Sequence, residues 1–258
     1  LLRYLKKIFY NSVAELRYNP DLKEYYLFVS YDPLMTTYNV RVGRSDKAEG
    51  PFIDYFGKEL KDTTNNFPIL TAPYRFKNHS GWAGTAHCAV FTSDDGQYFM
   101  AHQGRLSPQN QMMDLHVRQV FFTKDGWPVV SPERYAGSNP REFSAADLVG
   151  EWEIIRVQEP LYERKLEAGQ ILWGEGELQD EEWNMSHLLY LEKDGKLGED
   201  QGTWDFAKED QSLQLTLNGE VVRNLIVFAG HDWENETETV LFTGLDSRGR
   251  SVWGKRTK

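Results

Sequence analysis

Several features are scarce in this 258-residue chain, and each scarcity excludes a class of protein. Cys88 is the sole cysteine, so no internal disulfide can form and a disulfide-stapled fold is excluded. No apolar run approaches the length of a membrane span, and no signal peptide opens the sequence. The 29 basic residues are outnumbered by 39 acidic ones, and the resulting net charge of −10 would repel a phosphate polymer. We therefore expect neither a membrane nor nucleic acid as a partner.

Common catalytic motifs are also missing. The sequence has no Gly-x-Ser-x-Gly nucleophile elbow, no phosphate-binding glycine loop and no His-Glu-x-x-His zinc motif. The first residue is leucine rather than methionine, so we expect that a segment preceding it has been removed.

Aromatic residues, in contrast, are abundant. They make up 14% of the chain, with eight tryptophans and thirteen tyrosines. Such an excess can fill a core, or it can line a sugar-binding cleft, because the apolar faces of sugars stack on aromatic rings.

Strand signals dominate the first half of the chain. Residues 24–31, 38–44, 86–92 and 115–122 are β-branched and aromatic or alternate polar with apolar, and Asp94-Asp95-Gly96 and Lys124-Asp125-Gly126 predict tight turns after the last two. Sequential four-stranded units of this kind indicate a β-propeller, with about two blades between residues 11 and 135. Because propellers close with at least four blades, this region alone cannot form a ring.

A loop signal near residues 136–147 separates a second strand-rich region. We predict two domains, residues 1–140 with the last blades of a propeller and residues 148–258 with a small antiparallel β-barrel. The tryptophans of the second region could fill the barrel or line a sugar site, and core is favoured for most of them; they are Trp152, Trp173, Trp183, Trp204, Trp233 and Trp253.

The segment His79–Cys88 has an unusual composition for a core. It contains two glycines, a tryptophan and two histidines, and an apolar strand follows it. Glycine allows close backbone approach, tryptophan offers a flat stacking surface, and neutral imidazole can bind a metal ion or water. Either a wet polar pocket or a tight loop with hydrogen-bonded histidines fits this composition.

Six segments between residues 10 and 135 resemble, in order, the arabinan endo-1,5-α-L-arabinosidases of glycoside hydrolase family 43, which are five-bladed propellers. They include residues 25–31, 38–45, 50–52 and 81–87, the run His102-Gln103-Gly104-Arg105, and Leu115-His116-Val117-Arg118 with Asp125-Gly126-Trp127-Pro128. Residues 148–258 resemble the barrel that follows the propeller in longer arabinanases, through Gly150-x-Trp152 and Ser251-Val252-Trp253-Gly254.

The resemblance implies hydrolysis of α-1,5-linked arabinan with inversion, which needs a carboxylic acid and a carboxylate base on opposite faces of the sugar. In the family the base and a second, tuning aspartate lie in early blades, so we expect both upstream of this chain. The general acid is expected on the strand near residue 11. Glu15 is the candidate, although the family position could instead fall at Ser12, and Glu15 could be a solvated strand-edge carboxylate.

The resemblance also places His87 beside a central cation, usually calcium, that is mostly coordinated by water. Trp82 and Arg105 are candidate substrate-binding residues, with burial in the core and pairing with structural acids as the respective alternatives. His79 and His102 could be hydrogen-bonded near the cleft, and His116 is expected to be structural.

Three hypotheses follow for the chain. It could be part of an arabinan-cleaving enzyme, a non-catalytic polysaccharide-binding module, or a scaffold in which the barrel shapes the propeller cleft. We expect the ligand to be arabinan or an arabino-oligosaccharide. We expect the partner to be the N-terminal propeller blades, which could belong to a separate chain. The expected location is extracellular or at a bacterial cell surface.

Overall fold

The structure, a computed structural model, describes residues 14–62, 65–109, 111–138, 140–158 and 178–257. These residues form two antiparallel sheets and a closed barrel. The longest helical element among them, α1, spans only Ala145–Leu148. The prediction of an all-β protein with a C-terminal antiparallel barrel is therefore confirmed. No helix in the described part of the chain combines the length and hydropathy that crossing a bilayer requires.

The first sheet is a four-stranded antiparallel meander of the kind expected for a blade. The turn after its first strand is fixed by Asn19, whose side-chain oxygen accepts hydrogen bonds from the backbone N–H groups of Asp21 and Leu22 at 3.0 and 3.1 Å. Its strands, which pair in sequence order, are β1 (Ala14–Asn19), β2 (Glu24–Tyr31), β3 (Asn39–Ser45) and β4 (Ile69–Thr71).

The second sheet contains another meander. Four of its strands pair in sequence order, and two short strands join at one end. The strands are β5 (Tyr74–Arg75), β6 (Trp82–Ala83), β7 (Ala89–Thr92), β8 (Tyr98–Leu106), β9 (Asp114–Phe122) and β10 (Pro128–Val130). Strand β7 was predicted from residue 86 but begins at Ala89, because His87 has a φ of 58° that interrupts extended backbone.

The C-terminal barrel is closed by pairing between its first and last strands. Its strands are β11 (Gly150–Arg156), β13 (His187–Leu191), β14 (Lys196–Leu197), β15 (Gly202–Ala207), β16 (Ser212–Leu217), β17 (Glu220–Asp232), β18 (Thr237–Leu245) and β19 (Ser251–Arg256). Trp152, Leu213 and Phe242 are among the side chains that fill the interior. Three-residue 3₁₀ turns lie at Asp180–Glu182, Gly198–Asp200 and Lys208–Asp210.

The core role predicted for most tryptophans of this region is confirmed. Trp152, Trp183, Trp204 and Trp253 are buried, whereas Trp233 is 37% exposed and donates its indole N–H to the Arg134 carbonyl at 3.0 Å. Trp173 lies outside the described residues.

The barrel packs directly on the second sheet. A short strand, β12 (Asn184–Met185), pairs in parallel with β5 and so extends that sheet. Trp253 of the barrel belongs to the same hydrophobic cluster as residues of both sheets, and its ring meets Tyr74 edge-on with 5.5 Å between centroids. The barrel also contacts the first sheet, because Ser251 Oγ donates to the Ile69 carbonyl of β4 at 2.7 Å, so both sheets pack against the barrel.

Candidate active site

The loop before β7 presents His87 to solvent. The imidazole is exposed, while the side chains of Ala86 and Cys88 on either side are buried. The His87 backbone N–H donates to Ser30 Oγ at 3.0 Å, which ties the loop to β2 of the first sheet. An exposed imidazole on a fixed backbone is suited to binding a metal ion or water.

A cleft of about 460 Å³ lies beside this imidazole. His87, Gln103 and Asp114 supply polar groups to its lining, and Ala89, Ala101, His102, Met113 and Leu115 complete it. Gln103 also holds the loop in place, because its backbone N–H donates to the Ala86 carbonyl at 3.0 Å and its side-chain amide donates to the Gly84 carbonyl at 3.3 Å. Among the described residues lining the cleft, Asp114 is the only acid.

Glu15 lies on the sheet face that looks toward this loop. It pairs directly with Phe28, whose side chain shares a hydrophobic cluster with Cys88. Paired residues of an antiparallel ladder share a face, and so do residues two apart on one strand, which places Ser30 on the same face. Burial, and secondarily the negative charge of Glu15, raise the pKa of the Cys88 thiol to about 12. Glu15 and the His87 loop therefore lie close together.

The carboxylate of Glu15 pairs with Arg17, with 2.9 Å between Oε1 and Nε. The pair is partly exposed, and such pairs contribute little to stability. The role of Glu15 as general acid stays a prediction, and the competing position, Ser12, lies outside the described residues.

Trp82 is packed among other side chains. It is 5% exposed, and His79 stacks on it at 5.6 Å while His116 meets it edge-on at 4.4 Å between ring centroids. The Arg134 guanidinium lies 5.1 Å from its ring. Substrate stacking by Trp82 stays a prediction, and it would require these neighbours to uncover the ring.

Arg105 is buried behind the His87 loop rather than within the cleft lining. Its Nη1 donates to the Gln111 carbonyl at 3.1 Å, and burial lowers the pKa of its guanidinium. A Cβ atom on Gly84 would lie 2.8 Å from Arg105 Cδ, so glycine allows the arginine stem to pass against the loop. This position can support His87 from behind, while contact of Arg105 with substrate stays a prediction.

Behind the cleft, His102 and His116 are buried beside Arg118. Arg118 Nε donates to His102 Nε2 at 2.9 Å, so His102 Nδ1 carries the proton and donates to the Gln103 carbonyl at 2.7 Å. Burial, with the positive charge of Arg118, lowers the pKa of His102 to about 3. Burial also strongly lowers the pKa of His116. Both imidazoles are therefore neutral at physiological pH. His102 acts as a hydrogen-bonding group, whereas His116 packs against its neighbours with both ring nitrogens unpaired among the described residues.

One acidic cluster in the described residues has the spacing of a metal site. Carboxylate oxygens of Glu133, Asp232 and Glu234 lie within 4.8 Å of one another. The Lys255 ammonium already lies among them, 2.9 Å from oxygens of Glu133 and Asp232 and in contact with Glu234. A protein cation thus already occupies this cluster, which lies apart from the residues that line the His87 cleft.

Two cleft-lining residues, Gln103 and Asp114, were not singled out from the sequence. Gln103 belongs to a segment that carries the family resemblance. Strand alternation assigns its side chain to one of two faces, but it does not reveal which face borders a cleft.

Comparison with known families identifies the barrel. Residues 132–254 match GH43_C, which is described as a C-terminal lipocalin-like domain. The C-terminal part of the chain, just under half of it, is thus similar to a GH43 C-terminal domain. The match includes β11, which begins at Gly150, and extends into β19.

Curated relatives that match most of this chain are arabinanases. An extracellular endo-α-(1→5)-L-arabinanase 2 of Bacillus subtilis is 26% identical over 93% of this chain and 51% of its own length. An extracellular endo-α-(1→5)-L-arabinanase of Thermotoga petrophila is 25% identical over the same shares of the two chains. The chain thus spans about half the length of the curated relatives it matches.

A solved structure supports the fold. The crystal structure of the endo-1,5-α-L-arabinanase from Thermotoga petrophila superimposes with a TM-score of 0.78 at 22% identity, covering 95% of this chain and 55% of that one. This similarity shows that the two sheets and the barrel have the fold found in that structure.

Proposed function

We propose that this chain is part of a glycoside hydrolase that cleaves α-1,5-linked arabinan with inversion. Two observations carry the proposal together. Residues 132–254 match a GH43 C-terminal domain, and an arabinanase matches 93% of the whole chain. The cleft beside His87 then forms one part of the active site. The relatives are named as extracellular enzymes, and we propose the same location for this protein.

Glu15 would serve as the general acid that protonates the leaving oxygen. Its position on the first-sheet face nearest the His87 loop supports this role. Inversion also needs a carboxylate base on the opposite side of the sugar, with room for a water molecule between the two groups. We propose that this base comes from residues outside the given sequence.

A calcium ion beside His87 would supply a fixed positive charge near the reacting sugar. The residue types lining the cleft suit a largely hydrated cation, because one imidazole, the amide of Gln103 and the carboxylate of Asp114 border the same space. Calcium takes six to eight oxygen-rich ligands, and water can supply those that the protein does not.

Further propeller blades would dock against the outer face of the second sheet. Phe91, Met113 and Leu115 lie on or beside that face and are 39%, 64% and 76% exposed. Met113 and Leu115 also line the His87 cleft, so a docked blade would form the facing wall of that cleft. Exposed apolar side chains grouped in this way indicate an interaction surface. The blades could belong to the same polypeptide or to a separate one.

The proposal is tested by assaying reducing-end release from linear arabinan. We expect no turnover from residues 1–258 alone and clear turnover from protein that includes the remaining blades. In the latter, Glu15→Gln should lower kcat by about 10²–10⁴-fold for poor leaving groups, because general acid catalysis contributes about that much. Glu49→Gln, an exposed loop residue with the same change of charge, is the matched control.

Turnover by the chain alone would contradict the need for outside residues. An unchanged rate in Glu15→Gln would remove Glu15 from the site. Arabinan binding without turnover by blade-complete protein would instead favour the non-catalytic polysaccharide-binding or scaffolding function.

A further inference from the structure

The interior of the barrel becomes polar at one end. Ile154 on β11 and Val222 on β17 belong to the barrel core. Arg156 and Glu220 stand two positions from them on the same strands, and alternate residues of a strand share a face. Both charged side chains therefore lie over the apolar floor at the mouth of the barrel.

The change from apolar to polar side chains also occurs on β13 and in the adjoining turns. Leu189 belongs to the core, and His187, two residues earlier, is exposed at the mouth. Side chains of Gln158, Gln201 and Asn218 add amide groups around a cavity of about 420 Å³. Its volume and its mixture of apolar floor and few polar groups are typical of a small-molecule site.

One acceptor in this cavity lacks a protein partner. Arg156 Nη1 donates to Glu220 Oε2 at 2.6 Å, and this hydrogen bond is the main cause of the lowered pKa of the Glu220 carboxyl. The other oxygen, Oε1, is shielded from solvent and accepts no hydrogen bond from any described residue. A shielded acceptor without a donor is costly, so a shift of the Glu220 side chain toward the cavity, where Oε1 could accept from a ligand hydroxyl, would be favourable.

The charges indicate what kind of ligand fits. Arg156 and Glu220 neutralise each other, and the remaining polar groups around the cavity are amides and an imidazole. Amides both donate and accept, as hydroxyl groups do. An anionic ligand would meet one arginine that is already paired, on a chain of net charge −10.

We propose that the mouth of the barrel is a second carbohydrate-binding site, which takes a segment of neutral polysaccharide away from the His87 cleft. The identification of that polysaccharide as arabinan rests on the proposed function. A site of this kind would hold the polymer near the propeller while the cleft acts on another part of the chain, so that local substrate concentration rises.

Affinity electrophoresis in native gels tests this proposal. Separate gels contain linear arabinan, xylan or galactan, and retardation gives a Kd for each. We expect arabinan to retard the wild type, and Glu220→Gln and His187→Ala to raise Kd about tenfold, which corresponds to about 1.4 kcal/mol. Glu238→Gln, an exposed position on β18, changes the net charge equally and should behave as wild type. Because His187 is exposed, its replacement also tests the site without disturbing the core.

Each outcome decides the matter. Retardation by xylan or galactan but not arabinan, lost in Glu220→Gln, would support the barrel site and contradict the arabinan assignment. Unchanged retardation in Glu220→Gln and His187→Ala, with loss in the cleft variant Gln103→Ala, would assign binding to the cleft and overturn the proposal. Failure of all three polysaccharides to retard the wild type would also overturn it.

Discussion

His87 combines an exposed side chain with a strained backbone. A φ of 58° on a residue other than glycine costs about 1–3 kcal/mol and persists when surrounding contacts impose it. Here the contacts are the hydrogen bond from His87 N–H to Ser30 Oγ and the one from Gln103 N–H to the Ala86 carbonyl. Strain that is retained at a cleft-facing imidazole is typical of a functional position.

Replacement of His87 by glycine separates the imidazole from the backbone. Glycine adopts the left-handed conformation without steric cost and brings no side-chain ligand, so His87→Gly should fold normally. In blade-complete protein, millimolar calcium should raise the thermal midpoint of the wild type by several degrees, because a ligand at about 100 times its Kd stabilises by about 2.7 kcal/mol. In His87→Gly the increase should be much smaller. Differential scanning calorimetry with and without calcium measures both.

Magnesium at the same concentration is the control for a general effect of salt. If calcium stabilised His87→Gly as much as the wild type, the imidazole would have no part in binding the ion. An equal response of the wild type to both metals would argue against a selective calcium site.

Strands β8 and β9 approach each other closely at Gly104. A Cβ atom there would lie 2.5 Å from the ring of His116, which is itself packed edge-on against Trp82. We expect Gly104→Ala to lower the free energy of unfolding by about 1–3 kcal/mol, as overpacking typically does. Urea denaturation followed by tryptophan fluorescence measures the change.

The physical cause can be checked with a second variant at the contacting ring. In a His116→Ala background the methyl group has space, so the cost of Gly104→Ala should nearly vanish. A cost that is the same in both backgrounds would place the strain elsewhere in the sheet.

Elements with a strong local pattern were predictable from the sequence, and those defined by remote pairing were not. Alternation predicted a strand over residues 115–122, and β9 spans Asp114–Phe122. Strand β12 has two residues and no periodicity of its own. It exists because Asn184 donates its backbone N–H and its side-chain amide to the carbonyl of Pro73, 111 positions away, at 3.1 and 2.7 Å. Such a contact carries no local signal.

The candidate site shows the same limit. Composition and resemblance predicted a functional loop at residues 79–88, and the structure places His87 of that loop beside a cleft. The sequence could not indicate that Trp82 in the same loop is covered by His116 and Arg134 as well as by His79, since His116 and Arg134 come from separate segments. Side-chain exposure depends on which elements meet in space, and alternation along one strand does not contain that information.

At the scale of the whole molecule, a buried lysine connects the barrel to the second sheet. Lys255 and Trp253 share a face of β19, and Trp253 packs in the cluster common to both sheets. The ammonium contacts Glu133, which follows β10, together with Asp232 and Glu234 of the barrel. It also lies 3.9 Å from the centroid of the Phe76 ring. The buried carboxylate of Glu133 is therefore paired with this ammonium only while barrel and sheet are docked.

Replacement of Lys255 by methionine would leave the three carboxylates without their cation. We expect a loss of about 3–5 kcal/mol in the free energy of unfolding at pH 7, the usual cost of breaking a buried ion pair. Lys124→Met is the matched control, because Lys124 pairs with Asp210 on the exposed surface between the same two units and should cost less than about 1 kcal/mol. Urea denaturation gives both values.

The loss in free energy of unfolding that Lys255→Met causes, relative to wild type, should become smaller as the pH is lowered. Burial already raises the pKa of Glu133 well above its ordinary value, and loss of the ammonium raises it further. Above about pH 4.5, the unfolded value, the folded variant then binds more protons than the unfolded chain, so its stability falls as pH rises toward the raised pKa. Unfolding at pH 5 and pH 7 should therefore show a smaller gap from wild type at pH 5. A gap that is independent of pH would mean that lost packing against Phe76, rather than uncompensated charge, causes the destabilisation.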